Sequence, residues 1–185
     1  MGVTIHYQGR LRSPESLETL MQSCRDFASA SNDWKFKEVA ESKTLMRVVN
    51  GQNQDYQGFV IGVIVQPPGL CDPLGFEFDN SFFLQDYCKT QFSGASVHIQ
   101  VISLLKLIEP FFEELKVIDE GEYWGASNEE TLHRLMQECN QWMLETKRGN
   151  PDYIGPIVQE NGRIADLVRV ERSSKDSWLS KLFKK

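Results

Sequence analysis

Apolar and polar residues alternate from the start of the chain. Over residues 3–11, Val3, Ile5, Tyr7 and Gly9 fall on one face and Thr4, His6 and Gln8 on the other, the two-residue period of a half-buried strand. Ser13-Pro14-Glu15 then supplies a capping hydroxyl, a proline suited to a first helical turn and an early acid, which together predict a helix start. Leu17, Leu20, Met21, Cys24 and Phe27 follow at spacings of three or four and give that helix one apolar stripe. The small and polar run 28–33 ends it.

From Trp34 to Tyr87 the period is again that of strands. Residues 34–38 alternate, Leu45 to Val49 form a second short run, 51–55 read as a turn, and Phe59 to Val65 are continuously apolar apart from Gly62. Pro67-Pro68-Gly69 must stop the pairing, because proline has no amide to donate. Leu74, Phe76 and Phe78 alternate once more, and Phe82 to Tyr87 continue. Six aromatics lie between Phe76 and Phe92, a density that suits an antiparallel sheet.

Ser93-Gly94-Ala95 opens a second helix with Val97, Val101, Leu104, Leu105 and Ile108 on its inner face. Pro110 interrupts it, so Phe111 to Leu115 are expected as a kinked last turn or a separate one. Lys116 to Asp119 form a brief strand. Ser127 and Glu130 match a capping box ahead of a third helix with the stripe Leu132, Leu135, Met136, Cys139, Trp142 and Met143. Lys147, Arg148 and Gly149 close that helix with the cations and glycine its C-terminus favours.

The predicted fold is therefore α+β: an antiparallel sheet with three main helices packed on it, in the order β-α-(β-meander)-α-β-α. Residues 1–148 make one domain, and 149–185 make a C-terminal appendage. The appendage is expected to hold a hairpin within 156–170, around Asn161-Gly162, and a short amphipathic basic tail over 175–185.

Composition adds exclusions. The chain has 185 residues, 41% of them in the hydrophobic set, and a formal net charge of −6. A chain of this size buries roughly 70% of its extended surface, so one self-sufficient core is expected. The longest apolar run is far shorter than a membrane helix needs. The acidic balance argues against a nucleic-acid partner. Cys24, Cys71, Cys88 and Cys139 show neither a paired motif nor zinc spacing, which suits buried thiols in a reducing compartment. The opening strand pattern leaves no room for a signal peptide, so the expected location is cytoplasmic. The charge is also uneven: residues 1–148 carry 21 acids and 13 bases, and 149–185 carry 5 acids and 7 bases.

Two segments concentrate candidate chemistry. In the first, Lys89, Thr90, Gln91, Ser96 and His98 flank a predicted helix start, whose free amides favour an anion. The plainer alternative is that Ser93 caps the helix while His98 bonds at the sheet edge. In the second, Asp119, Glu120 and Glu122 follow a strand, within a stretch from Glu109 to Glu130 that holds eight acids and one base. Carboxylates there, with His98, would make a hard-cation or hydrolytic metal site; the alternative is a solvated acidic rim. His6, on an expected edge strand, and His133, on the outer side of the third helix, are weaker candidates. No nucleophile elbow, zincin, phosphate-loop or dinucleotide motif is present, and no cofactor is implied. In the tail, Trp178, Leu179, Leu182 and Phe183 share one helical face with lysines around it, so the tail is a candidate for docking to a partner groove or for weak peripheral contact with an anionic bilayer.

The segments Lys89-Thr90-Gln91-Phe92-Ser93-Gly94 with Val97-His98-Ile99, and Asp119-Glu120-Gly121-Glu122-Tyr123-Trp124, together with the opening Thr4-Ile5-His6-Tyr7-Gln8-Gly9, resemble those of a group of uncharacterised bacterial proteins of similar size. The resemblance covers roughly residues 3–145 and leaves out the tail. It implies a bacterial, intracellular setting and carries over no catalytic residue.

These readings lead to a non-enzymatic module that binds another protein, adaptor-like or immunity-like, through its acidic surface. The alternative is a small-ligand or metal-dependent hydrolase with its site between 89–98 and 119–124. Convergence of His98 with at least two of Asp119, Glu120 and Glu122 on one cleft separates the two.

Overall fold

The computed structural model describes residues 2–30 and 33–170. The tail expected over 175–185, with Trp178, Leu179, Leu182 and Phe183, lies outside the described residues. Strand β1 (Thr4–Leu11) forms where the alternation predicts it, and helix α1 (Glu15–Ser29) follows Pro14. Leu17, Leu20 and Cys24 are buried along the stripe, joined by Ala28.

The meander is longer and simpler than its sequence suggests. β2 (Lys35–Val49) is one unbroken strand, paired antiparallel with β3 (Gln52–Gln66) along fifteen registered positions from Lys35↔Gln66 to Val49↔Gln52. The turn is not 51–55 but Asn50-Gly51, whose φ angles are 51° and 75°. Positive φ at both central residues is what a tight two-residue hairpin turn demands, and Asn-Gly meets it at least steric cost. β4 (Leu74–Phe78) completes a sheet of order β2-β3-β4.

β5 (Phe83–Lys89) leads to helix α2 (Ala95–Ile108), whose expected inner face is fully buried. Beyond it, Glu109–Phe111 form one 3-10 turn and β6 (Phe112–Asp119) begins at once. Residues 112–115 are thus strand rather than a last helical turn, because Pro110 ends the helix and Phe112 and Leu115 are then buried by pairing with β1. The second sheet has the order β5-β1-β6. β1 is its central strand, so His6 does not lie at an edge.

A short helix, α3 (Tyr123–Ala126), precedes α4 (Glu129–Gly149). The cap of α4 is Asn128, which accepts from the Thr131 amide at 3.1 Å, and not Ser127, whose φ is +50°. Leu132, Met136, Cys139 and Met143 are buried on α4, while Trp142 is exposed. After α4 the expected hairpin forms around Asn161-Gly162, and a second small strand pair flanks it. β8 (Ile157–Val158) pairs with β9 (Ile164–Ala165), and β7 (Tyr153–Ile154) pairs with β10 (Val168–Arg169). Among the described residues no helix is long and apolar enough to cross a membrane.

The main core lies between the two sheets and helices α1 and α2, with Ile5, Tyr7, Leu20, Phe76, Phe78, Ile102 and Leu105 at its centre. α4 seals a smaller cluster of Val3, Ala95, Leu132, Met136 and Cys139. All four cysteines are free and buried, and burial pushes the Cys24 thiol up to about 12. Among the described residues, helices therefore cover only the inner face of β5-β1-β6. Its outer face carries three cross-strand rows, Ile118–His6–Tyr87, Lys116–Gln8–Gln85 and Glu114–Arg10–Phe83.

The edge of β5 away from β1 offers four carbonyls, and each has a donor. The amides of Asp79 and Asp72 reach Phe83 O and Lys89 O, both at 3.0 Å. Arg47, near the tip of the β2–β3 hairpin, reaches Gln85 O at 3.4 Å, and Arg163, from the β8–β9 loop, reaches Tyr87 O. An unpaired strand edge is a liability in water, and here two arginines from distant segments cover half of it.

Candidate functional site

The two segments picked out in the sequence meet, and they meet inside the protein. His98, on the first turn of α2, is fully buried. Its Nδ1 lies 2.7 Å from Thr90 Oγ1, and its Nε2 lies 3.2 Å and 3.3 Å from the two carboxylate oxygens of Asp119 at the end of β6. Asp119 also accepts three backbone amides, from Gly121 at 2.7 Å, Tyr123 at 2.8 Å and Trp124 at 2.9 Å. Burial pushes its carboxyl up, but the hydrogen bond and charge interaction with His98, with the amides, outweigh it and leave the group below the ordinary aspartate range. Gly121 is forced by the same contact: a Cβ there would sit 2.8 Å from His98 Cε1.

The other residues of these segments serve the packing around this chain of bonds. Gln91 is buried and holds the Val3 amide at 3.2 Å and Asn140 of α4 at 3.2 Å. Glu120 turns away from His98 and accepts the Thr4 amide at 2.9 Å. Glu122 is exposed with φ +58°, and Ser96 is exposed and accepts from Gln100 at 3.4 Å. Lys89 reaches across to Asp166 at 2.8 Å and Ile164 O at 3.3 Å, strapping the C-terminal strands to β5. Only Asp119 of the three acids joins His98. Among the described residues no three His, Cys, Asp or Glu side chains are grouped to hold a metal ion. A Thr–His–Asp series has the residue types of a nucleophilic triad, but with Thr90 and His98 fully buried it has no surface on which to meet a substrate.

A concave feature lies on the opposite side of β1. A cleft of about 670 Å³ opens between the outer face of β5-β1-β6 and the overhanging tip of the β2–β3 hairpin. His6 and Gln8 of β1, Gln85 and Tyr87 of β5, and Lys116 and Ile118 of β6 form its floor. The tip is tied over that floor by Gln85, which accepts the Val48 amide at 2.7 Å and donates to Val48 O at 3.3 Å and Gln8 Oε1 at 2.6 Å. Met46 and Ile118 remain 71% and 70% exposed beside it, so apolar groups line an opening rather than a core.

One end of the cleft is electrostatically rigid. The Arg163 guanidinium stacks over the Tyr87 ring, 4.5 Å from its centroid, and its Nη2 bonds Asp86 Oδ1 at 2.6 Å. Asp86 Oδ2 in turn lies 3.3 Å from the Tyr7 hydroxyl, which also reaches Gly75 O at 3.1 Å. Burial pushes the Asp86 carboxyl up against the pull of Arg163, and burial with the Asp86 charge pushes the Tyr7 phenol up as well. Burial opposes the charge on Arg163, but Asp86, Tyr7, Asp72 and Tyr87 together outweigh it and leave the guanidinium above its ordinary range.

This cleft was not legible in the sequence beyond His6. Its residues come from β1, the hairpin tip, β5, β6 and the 161–163 loop, and no spacing rule joins them. The one available signal was Met46, Val48 and Val49 so close to a polar turn, where a solvated hairpin tip has no need of them. Compared with family models, curated proteins and solved structures, the chain matches none.

Proposed function

We propose that this protein is a non-enzymatic module that binds another protein, and that its contact surface is the cleft under the β2–β3 hairpin. The observation that carries this reading is the outer face of β5-β1-β6, which no helix among the described residues covers. Ile118 and Tyr87 on the floor, and Met46 and Val48 on the overhang, are 70%, 39%, 71% and 53% exposed around one concavity. Clustered apolar exposure around a groove marks an interaction site far more often than scattered exposure does. The acidic stretch 109–130 supports it less well as a contact surface, because Asp119 and Glu120 are committed to internal bonds. The hydrolase alternative has even less support, since the residues it needs do not share an opening.

The test is site-specific photo-crosslinking in the organism that makes the protein. A benzophenone side chain in place of Ile118 is expected to give one discrete protein adduct. The same group in place of His133, exposed on α4, is expected to give none. Adducts from position 133 but not from 118 would overturn the reading.

A further inference from the structure

We infer that the free edge of β2 pairs with the same edge of a second copy of this chain, antiparallel and with Ser42 opposite Ser42, so that one sheet runs across a two-fold axis. β2 is the outermost strand of the sheet β2-β3-β4, and among the described residues no strand lies on its other side. The turn fixes which of its backbone groups point outward. A two-residue loop at Asn50-Gly51 makes Val49↔Gln52 the first hydrogen-bonded pair, and bonded and non-bonded pairs then alternate along an antiparallel ladder. The odd positions of β2 therefore bond β3, and the even positions present amide and carbonyl to the outside. Val48 bears this out: the Gln85 side chain takes its amide at 2.7 Å and its carbonyl at 3.3 Å.

Between its ends this edge is open. At one end Arg25 of α1 lies over the Phe36 ring, 5.3 Å from its centroid, and pairs with the Glu38 side chain. At the other, Gln85 caps Val48, and Arg47 Nη1 donates to Met46 O at 3.3 Å. Ser42 is the midpoint between Phe36 and Val48. Outside the β2–β3 pair, no hydrogen bond among the described residues reaches the backbone of Glu38, Ala40, Ser42 or Thr44, and all four are exposed. β2 has no proline and no register shift against β3, two of the devices that commonly protect an edge.

The charges choose the partner and the register. Pairing about Ser42 sets Glu41 opposite Lys43, Ala40 opposite Thr44, Val39 opposite Leu45 and Glu38 opposite Met46, each pair occurring twice. Glu41 is exposed and has no cationic partner among the described residues. Lys43 bonds Glu77 within the chain and would stand between two carboxylates. No like charges meet over residues 38–46 in this register. Moving the axis to Glu41 or to Lys43 sets that residue against its own copy. Moving it to Ala40 or Val39 sets Lys43 against Lys37 or Lys35. Like charges directly opposite on paired strands are unfavourable, so neighbouring registers are disfavoured. A contact of this isologous kind closes at two copies.

The experiment is sedimentation velocity on the full chain over a concentration series, with circular dichroism to show that each variant is folded. Wild type is expected to show a monomer–dimer equilibrium. Ser42→Pro is expected to abolish the dimer and keep the fold, because the amide it removes points away from β3. Two charge variants test the register. Glu41→Lys and Lys43→Glu each place like charges opposite one another twice, and each is expected to raise the dimer dissociation constant at least about tenfold. An equimolar mixture of the two restores opposite charges at both places and is expected to return the constant to within about threefold of wild type. A wild-type chain that stays monomeric up to about 1 mM would overturn the inference. So would a dimer that folded Ser42→Pro leaves intact, or a weakening by the two charge variants that mixing does not reverse.

Discussion

Asp119→Ala is expected to destabilise the protein by about 3–5 kcal/mol, because removing a buried carboxylate leaves several buried donors unsatisfied at once. The carboxylate side chain is 2% exposed, so solvent cannot replace it. Its loss strands His98 Nε2 and the amides of Gly121, Tyr123 and Trp124 together. At this chain length the midpoint of thermal unfolding should fall by roughly 6–20 °C. Asp119→Asn keeps the shape but not the charge and is expected to fall between the two. The pH dependence has a defined sign. Asp119 sits below its ordinary range in the folded protein, so it stabilises fully above about pH 4, where the unfolded carboxyl is ionised, and this contribution fades as pH drops through the lower folded value. The stability gap between wild type and Asp119→Asn should therefore narrow on acidification below about pH 4. A gap that widens there would contradict the assignment.

Gly62→Ala is the second large effect, about 3 kcal/mol or more. Gly62 lies in β3 with φ +151°, and a Cβ there would be 1.9 Å from Phe76 O in the neighbouring strand. Backbone, not a flexible side chain, is what it meets, and the pairing Gly62↔Glu77 beside it holds β4 in register. Phe76 and Phe78 are carried into the core by that strand, so the strain spreads to the core. Gly125→Ala, where a Cβ meets nothing within 4 Å, is the control and should change stability by less than about 1 kcal/mol. Chemical denaturation of both variants measures the difference.

Local chemistry made α1, α2 and β1 readable. Pro14 can only begin a helix, and the stripe from Leu17 to Cys24 can be buried on one side only as a helix. The same held for Val97 to Ile108. Elsewhere, strand pairing overrides local pattern. Residues 39–44 look too polar for a strand, but β3 runs beside them at every position, and backbone pairing does not require apolar side chains. Residues 112–115 follow a helix-compatible run, but β1 offers them an open edge.

The polar segments were half legible. His98 and Asp119 were both picked out, and they do touch; that Thr90 and three amides complete the arrangement in a sealed interior follows only from how α2 packs on β6. Beyond His6 the cleft was not legible, because Arg47 and Arg163 reach the β5 edge from opposite sides of the sequence. Charge told a related story at two scales. The net value of −6 describes the surface as a whole, whereas the cleft on the open sheet face is lined by three basic side chains and one acidic one among neutral polar and apolar groups.

We propose a division of roles, in which the Thr90–His98–Asp119 series holds the fold and the cleft under the hairpin makes the contact. Its most direct test combines both in one measurement, with a benzophenone crosslinker placed at Val48 and either Ile118→Glu or Asp119→Asn added. Ile118→Glu is expected to abolish the adduct while leaving the unfolding midpoint within about 2 °C of wild type, since surface changes of this kind cost little. Asp119→Asn is expected to lower the midpoint while the adduct persists at temperatures where the protein remains folded. Loss of the adduct in folded Asp119→Asn, with its retention in Ile118→Glu, would contradict the account.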